Sequence, residues 1–182
     1  MVGASRLVVV SGPSGAGKTT VCERLLARKE FERVVTATTR APRKGEKPGI
    51  DYHFVTAGEF DAWAKQGRFL EWATVHGRRY GTPKAAAEEI VRRGRHALLN
   101  IDVQGADSVR KSGFPCFLVF LLPPSWEELE RRLRSRGTDP PEEIARRLAD
   151  ARSELLRQDD FDLKVTNDDP RRAADEIARA LA

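Results

Sequence analysis

"GPSGAGKT", Gly12 to Thr19, decides the fold. It meets every fixed position of the pattern G-x-x-x-x-G-K-[ST], and it stands where that pattern has meaning. The apolar run "RLVVVSG" (Arg6 to Gly12) precedes it and a helical pattern from Thr19 to Arg28 follows. Glycines let a loop turn its N–H groups inward around phosphates, and the helix after the loop adds the positive end of its dipole. In such a loop Gly12, Pro13, Ser14, Gly15, Ala16 and Gly17 wrap the phosphates of a nucleoside triphosphate, with Thr20 just inside the helix. Lys18 reaches the β- and γ-phosphates, and the Thr19 hydroxyl ligates Mg²⁺.

Outward from this loop, short apolar runs alternate with helical patterns, which predicts a mainly parallel sheet with crossover helices. "HALLNIDV" (His96 to Val103), "CFLVFLL" (Cys116 to Leu122) and "FDLKVTN" (Phe161 to Asn167) read as further strands. Their nearly unbroken apolar character suits strands covered on both faces. Helical patterns cover Gln104 to Lys111, Ser125 to Arg136 with Ser125 as cap, and Pro170 to Leu181; Ile144, Leu148, Ala151 and Leu155 recur at helical spacing between Pro140 and Gln158. Two regions break the rhythm. Thr36 to about Pro83 holds "DYHFV" and "FLEWATV" around a helical "AGEFDAWAKQG", an α+β insertion in which Trp63 and Trp72 read as core. Ser125 to about Ile144 is rich in arginine and contains "SRGTDPP". An inserted lobe and a basic flap on a parallel core are what a two-substrate enzyme that closes requires.

The 182 residues fit one domain, and 40% hydrophobic with 32% charged residues describes a soluble protein. The chain reads as cytoplasmic, with no apolar run near the ~20 residues of a membrane span and no signal peptide. Cys22 and Cys116 lie far apart and read as small core residues. A net charge of +5 permits an anionic partner without naming one. The arginines are spread over several segments and match no nucleic-acid motif, so small phosphorylated ligands are expected in place of nucleic acid. Asp102, at the end of the run "LLNIDVQG", is placed to organise Mg²⁺ directly or through water; an aspartate capping the next helix accounts for it equally well. A phosphate loop alone leaves switches, motors, transporters and small-molecule kinases open.

"SGPSGAGKTT", "TTRAPRKGE", "DYHFV", "FLEWA", "YGT", "IDVQG", "RGT" and "TNDD" occur in this chain in the order and spacing of guanylate kinases, and the resemblance runs from Arg6 to Asp169. It implies a P-loop nucleoside-monophosphate kinase fold: a three-layer α/β/α domain with a central parallel sheet, an inserted small α+β GMP-binding lobe and a helical lid. The core would take about 1–35, 84–124 and 145–182, the lobe about 36–83 and the lid about 125–144. The implied reaction is ATP + GMP giving ADP + GDP with Mg²⁺, in purine nucleotide metabolism, by a monomer or a homodimer.

By the same resemblance Arg40 and Arg43 grip the GMP phosphate with Tyr52 and Tyr80, and Glu71 reads the guanine with Thr36, Thr82 and Asp102 around it. Guanidinium forks with phenol donors suit a dianion. A carboxylate accepts from both N1–H and the 2-amino group of guanine, whereas adenine would leave it unsatisfied. Lys44 and Lys47 are expected to be solvated. Arg132, Arg136 and Arg147 match lid arginines that close on the ATP phosphates, and Asn167 resembles a residue near the adenine. The chain departs from the family at Asn100, where an acid is common, and at Thr36 and Thr82, where some members carry serine. Two other readings share the fold: a kinase of phosphorylated ribose, and an inactive module that binds phosphopeptides. Intact Glu71, Tyr80 and Thr82 oppose the first; Lys18, Thr19 and the lid arginines oppose the second.

Overall fold

The fold is seen in a computed structural model, which describes residues 5–75, 77–135 and 140–182. Five parallel strands form the central sheet in the order β2-β7-β1-β8-β9. They are β1 (Leu7–Ser11), β2 (Phe31–Arg33), β7 (His96–Asn100), β8 (Cys116–Leu122) and β9 (Leu163–Thr166). Helices α1 (Lys18–Leu26), α3 (Lys84–Arg92), α4 (Val103–Lys111) and α7 (Pro170–Leu181) cover its faces. Because side chains alternate along a strand, β1 splits its apolar residues between two cores. Val8 and Val10 pack with Val21, Leu25, Ala173 and Ile177 of α1 and α7, while Leu7 and Val9 pack with Ala87, Ile90, Ala106 and Val109 of α3 and α4. Both faces are therefore dry, which explains the unbroken apolar runs.

Between β2 and β7 the chain builds a second sheet, ordered β4-β3-β6-β5, from β3 (Ala37–Thr38), β4 (His53–Phe54), β5 (Phe69–Val75) and β6 (Arg78–Pro83). Helix α2 (Ala57–Lys65) flanks it, opened by a capping box between Thr56 and Glu59. Helices α5 (Trp126–Ser135) and α6 (Pro141–Leu155) follow β8 and share a small apolar cluster of Trp126, Leu129, Leu133, Leu148 and Ala151. Ser125 caps α5 by accepting the Glu128 N–H at 3.2 Å. No helix among the described residues is long and apolar enough to cross a membrane.

Several expectations shift. Strand character in "DYHFV" shrinks to His53–Phe54, and the first helix begins at Lys18, inside the loop motif. Trp72 is 50% exposed rather than core; only an edge contact with Phe60 covers it. The cause is a register shift between Phe69 and Glu71, which sends Glu71 toward Thr82 and leaves Trp72 on the open face. Cys116 is only half-buried, whereas Cys22 is buried and its thiol is pushed up to about 12 by burial, a small apolar core residue.

Candidate functional site

The phosphate loop joins β1 to α1 and is shaped by its contacts. Gly12 (φ +136°) lies so close to β8 that a Cβ there would meet the Leu121 carbonyl oxygen at 2.3 Å. Ala16 closes the turn by donating its N–H to the Pro13 carbonyl at 3.1 Å. The Lys18 ammonium lies back along the loop, donating to the carbonyls of Gly12 at 2.5 Å and Pro13 at 3.1 Å. Thr19 and Thr20 are exposed at the start of α1. Ser14 and Gly15 are half-buried, Gly15 against Leu129 and Leu133 of α5. Glu154 of α6 lies beside the loop; burial pushes its carboxyl up and the neighbouring Lys18 opposes that.

Across from the loop, a cavity of about 250 Å³ is lined by Thr36, Tyr52, Glu71, Tyr80, Asn100 and Asp102. Glu71 is 9% exposed and accepts a hydrogen bond from the Thr82 hydroxyl at 2.5 Å, the two residues facing each other across β5 and β6. Burial pushes the Glu71 carboxyl above its ordinary range; the Thr82 bond opposes this and the nearby Asp102 adds to it. Asp102 caps α4, its Oδ1 accepting the Gly105 N–H at 2.8 Å, so the capping account holds, while its place in the cavity wall keeps the other account open.

Tyr52 and Tyr80 stand edge to face with ring centres 6.1 Å apart, and the Arg40 guanidinium sits 5.4 Å from the centre of the Tyr52 ring. Arg40 is not a loose surface charge: it forms a two-pronged pair with Glu46 at 2.8 and 3.0 Å. The same carboxylate accepts the Arg43 N–H at 2.7 Å. These bonds hold the Glu46 carboxyl below the usual carboxylate range, Arg40 contributing most. Glu46 is the functional residue that sequence reasoning passed over. Its signal was a single acid inside a cationic stretch, six residues from the arginine it orders. Arg43 extends from the exposed part of the loop, as do Lys44 and Lys47.

The two halves adjoin. A neighbouring cavity of about 390 Å³ runs from Thr19 and Cys22 to Thr36, Tyr52 and Asn100, sharing the last three residues with the Glu71 cavity. On the opposite flank Arg132 of α5 donates to Glu128 at 2.7 Å and toward the Asn167 carbonyl at 3.4 Å. Arg147 of α6 is half-buried and donates to Glu143 at 3.2 Å. Arg131, Arg134 and Arg146 pair with glutamates on their own exposed helix faces. Arg136 lies outside the described residues. Asn167 is buried beneath the phosphate loop, its Nδ2 donating to the Ala16 carbonyl at 2.7 Å.

The donor set also bears on a metal ion. Among the described residues no three His, Cys, Asp or Glu side chains gather into a metal-holding group. The exposed Thr19 hydroxyl and the Asp102 carboxylate, whose Oδ2 makes no capping bond, are hard oxygen donors near the loop. That sparse oxygen set fits Mg²⁺, which keeps waters and phosphate oxygens as most of its ligands.

The family model for guanylate kinase matches residues 4–182. A guanylate kinase from Nocardia farcinica (strain IFM 10152) is 50% identical over 175 residues, 94% of this chain and 91% of that protein. Another, from Parasynechococcus marenigrum (strain WH8102), is 51% identical over 164 residues, 90% of each chain. Among solved structures, the crystal structure of guanylate kinase from Anaplasma phagocytophilum matches with a TM-score of 0.73 at 34% identity, over 98% of this chain and 85% of that one.

Proposed function

The chain belongs to the guanylate kinase family and is a nucleoside-monophosphate kinase, and from that premise we propose how its residues divide the work of moving the γ-phosphoryl group of ATP to GMP. The observation that carries the reading is the pair of adjoining cavities. One reaches from Thr19, at the end of the phosphate loop, to Thr36, Tyr52 and Asn100; the other is lined by the same three residues and by the buried Glu71 carboxylate. Phosphoryl transfer asks the protein for position and positive charge more than for covalent chemistry. The site supplies both.

At the donor end, the loop from Gly12 to Thr20 holds the ATP phosphates, and Lys18 leaves the Gly12 and Pro13 carbonyls for the β- and γ-phosphates. Arg132 and Arg147, with Arg136, bring charge to the γ-phosphate from the lid, about 125–144, and the helix that continues it. Thr19 and Asp102, the latter directly or through water, would hold Mg²⁺, which when bound neutralises charge on the phosphates. At the acceptor end, in the lobe of about 36–83, Arg40, Arg43, Tyr52 and Tyr80 hold the GMP phosphate. Glu71, with Thr82 fixing its orientation and Thr36 and Asp102 beside it, accepts from N1–H and the 2-amino group of guanine. Glu46 offsets one of the two guanidinium charges and keeps the Arg40 fork aimed. Asn100, standing where an acid is common, lines both cavities as a neutral amide and leaves the carboxylate role to Asp102. The setting we infer is cytoplasmic purine nucleotide metabolism.

Arg40→Ala tests the acceptor assignment. Removing the fork should weaken GMP about 10- to 100-fold, the size of one lost bond to a charged group, and leave guanosine, which has no phosphate, nearly unaffected. Competition titrations with both ligands decide this; equal losses would take Arg40 off the phosphate. Glu46→Gln, which loosens the fork without removing it, should raise the KM for GMP by a smaller factor in the same direction.

A further inference from the structure

We propose that Asn167 is a positioning residue for the phosphate loop, acting on the nucleotide's phosphates through the Ala16–Gly17 peptide. The inference rests on the loop being the donor-phosphate site. The side chain of Asn167 is 2% exposed, and its Nδ2 donates to the Ala16 carbonyl at 2.7 Å across 151 residues of sequence. A peptide unit is planar and trans, so its C=O and N–H point to opposite sides. Fixing the Ala16 oxygen toward Asn167 therefore aims the Gly17 N–H the other way, into the hollow of the loop. Without that bond the Ala16–Gly17 peptide has little to stop it turning over, because glycine accepts either backbone conformation.

The neighbouring residues fit this role. Gly17 adopts φ +91°, and a Cβ there would stand 2.3 Å from the Asn167 Nδ2, so this glycine makes room for the amide that holds the loop. Asn167 is itself fixed: its N–H donates to the Leu122 carbonyl at 2.8 Å, extending the β8–β9 ladder by one residue. Its own carbonyl faces Arg132 at 3.4 Å. The amide has one sensible orientation, since exchanging its two end atoms would set Oδ1 against the Ala16 oxygen. Oδ1 is buried without a hydrogen-bond partner among the described residues, an unfavourable placement accepted in order to make the Nδ2 bond.

The test compares two ligands that share a polyphosphate and differ in whether they carry a base. Calorimetric binding of ATP and of inorganic tripolyphosphate is measured for the full chain, for N167A and for N167D. N167D keeps the size of the side chain and turns its donor into an acceptor, so it removes the bond without opening a cavity. Both variants are expected to weaken both ligands, about tenfold or more, with GMP binding nearly unchanged; each also lowers Tm, because a buried hydrogen bond is lost, so binding is measured well below the melting transition. Loss of ATP affinity with tripolyphosphate untouched would make Asn167 a base contact and overturn the proposal. Unchanged binding of both ligands would overturn it as well. A wild-type chain that binds neither would remove the donor-loop reading, and the inference with it.

Discussion

Lys18→Ala leaves a folded protein that has lost nearly all turnover, on the order of 10³-fold, as expected for removing one preorganised charge from a developing phosphoryl transition state. The fold should survive because Lys18 is half-buried and donates to the Gly12 and Pro13 carbonyls, while the loop is held independently by the Ala16 N–H, by Asn167 and by the close packing of Gly12 on β8. Chemistry suffers because no other ammonium among the described residues stands at the loop's centre. Single-turnover phosphoryl transfer, paired with thermal unfolding, separates the two effects. Near-normal turnover with an unchanged Tm would refute the loop assignment.

Glu71→Gln should trade function for stability. An amide can accept one hydrogen bond from guanine but presents N–H groups where a second acceptor is needed. The KM for GMP should therefore rise on the order of 10²-fold and discrimination against AMP should fall. The effect on the apoprotein has the opposite sign. Burial raises the Glu71 carboxyl above its unfolded value, so its contribution to stability is full below the unfolded pKa and is lost as pH rises through the folded one. Glutamine does not ionise, so the variant escapes that loss. The variant should have the higher Tm near pH 7, and the gap should close as pH falls toward the unfolded carboxyl's value of about 4.3. In the wild type, the KM for GMP should begin to rise with falling pH above the ordinary carboxylate range. Unchanged base selectivity in the variant would remove Glu71 from the base site.

The parts of the fold that were readable in the sequence are those written in long patterns. The phosphate loop between an apolar run and a helix, the runs of β8 and β9, and the helical spacings of α4, α5 and α7 reappear within a residue or two, while β7 stops at Asn100, three residues short of its run, because Val103 already belongs to α4. Strands β3 and β4 carry two residues each, too few to show any period. The stripe of α3 is drawn partly in alanine, with Ala87 and Ile90 as its buried residues, and hydropathy reads alanine weakly. Trp72 misled because a large aromatic side chain reads as packing, and the register shift that leaves it on the open face is not marked in the chain. At the site, Glu71 was located by its motif, but its hydroxyl partner depends on which β6 residue lies opposite. Asn167 and Ala16 lie 151 residues apart, so only the closed sheet reveals that they touch. Local spacing reports such side chains one at a time and is silent on what tertiary structure brings to them.

The central claim is that a donor-phosphate loop and a guanine-reading carboxylate serve one transfer. The most direct test is ADP production by the purified chain from ATP and Mg²⁺ with GMP, AMP, UMP or ribose bisphosphate as acceptor. The account predicts rapid ADP formation with GMP and little above background with the other three. Comparable turnover with AMP, or none with GMP while ATP still binds, would contradict it.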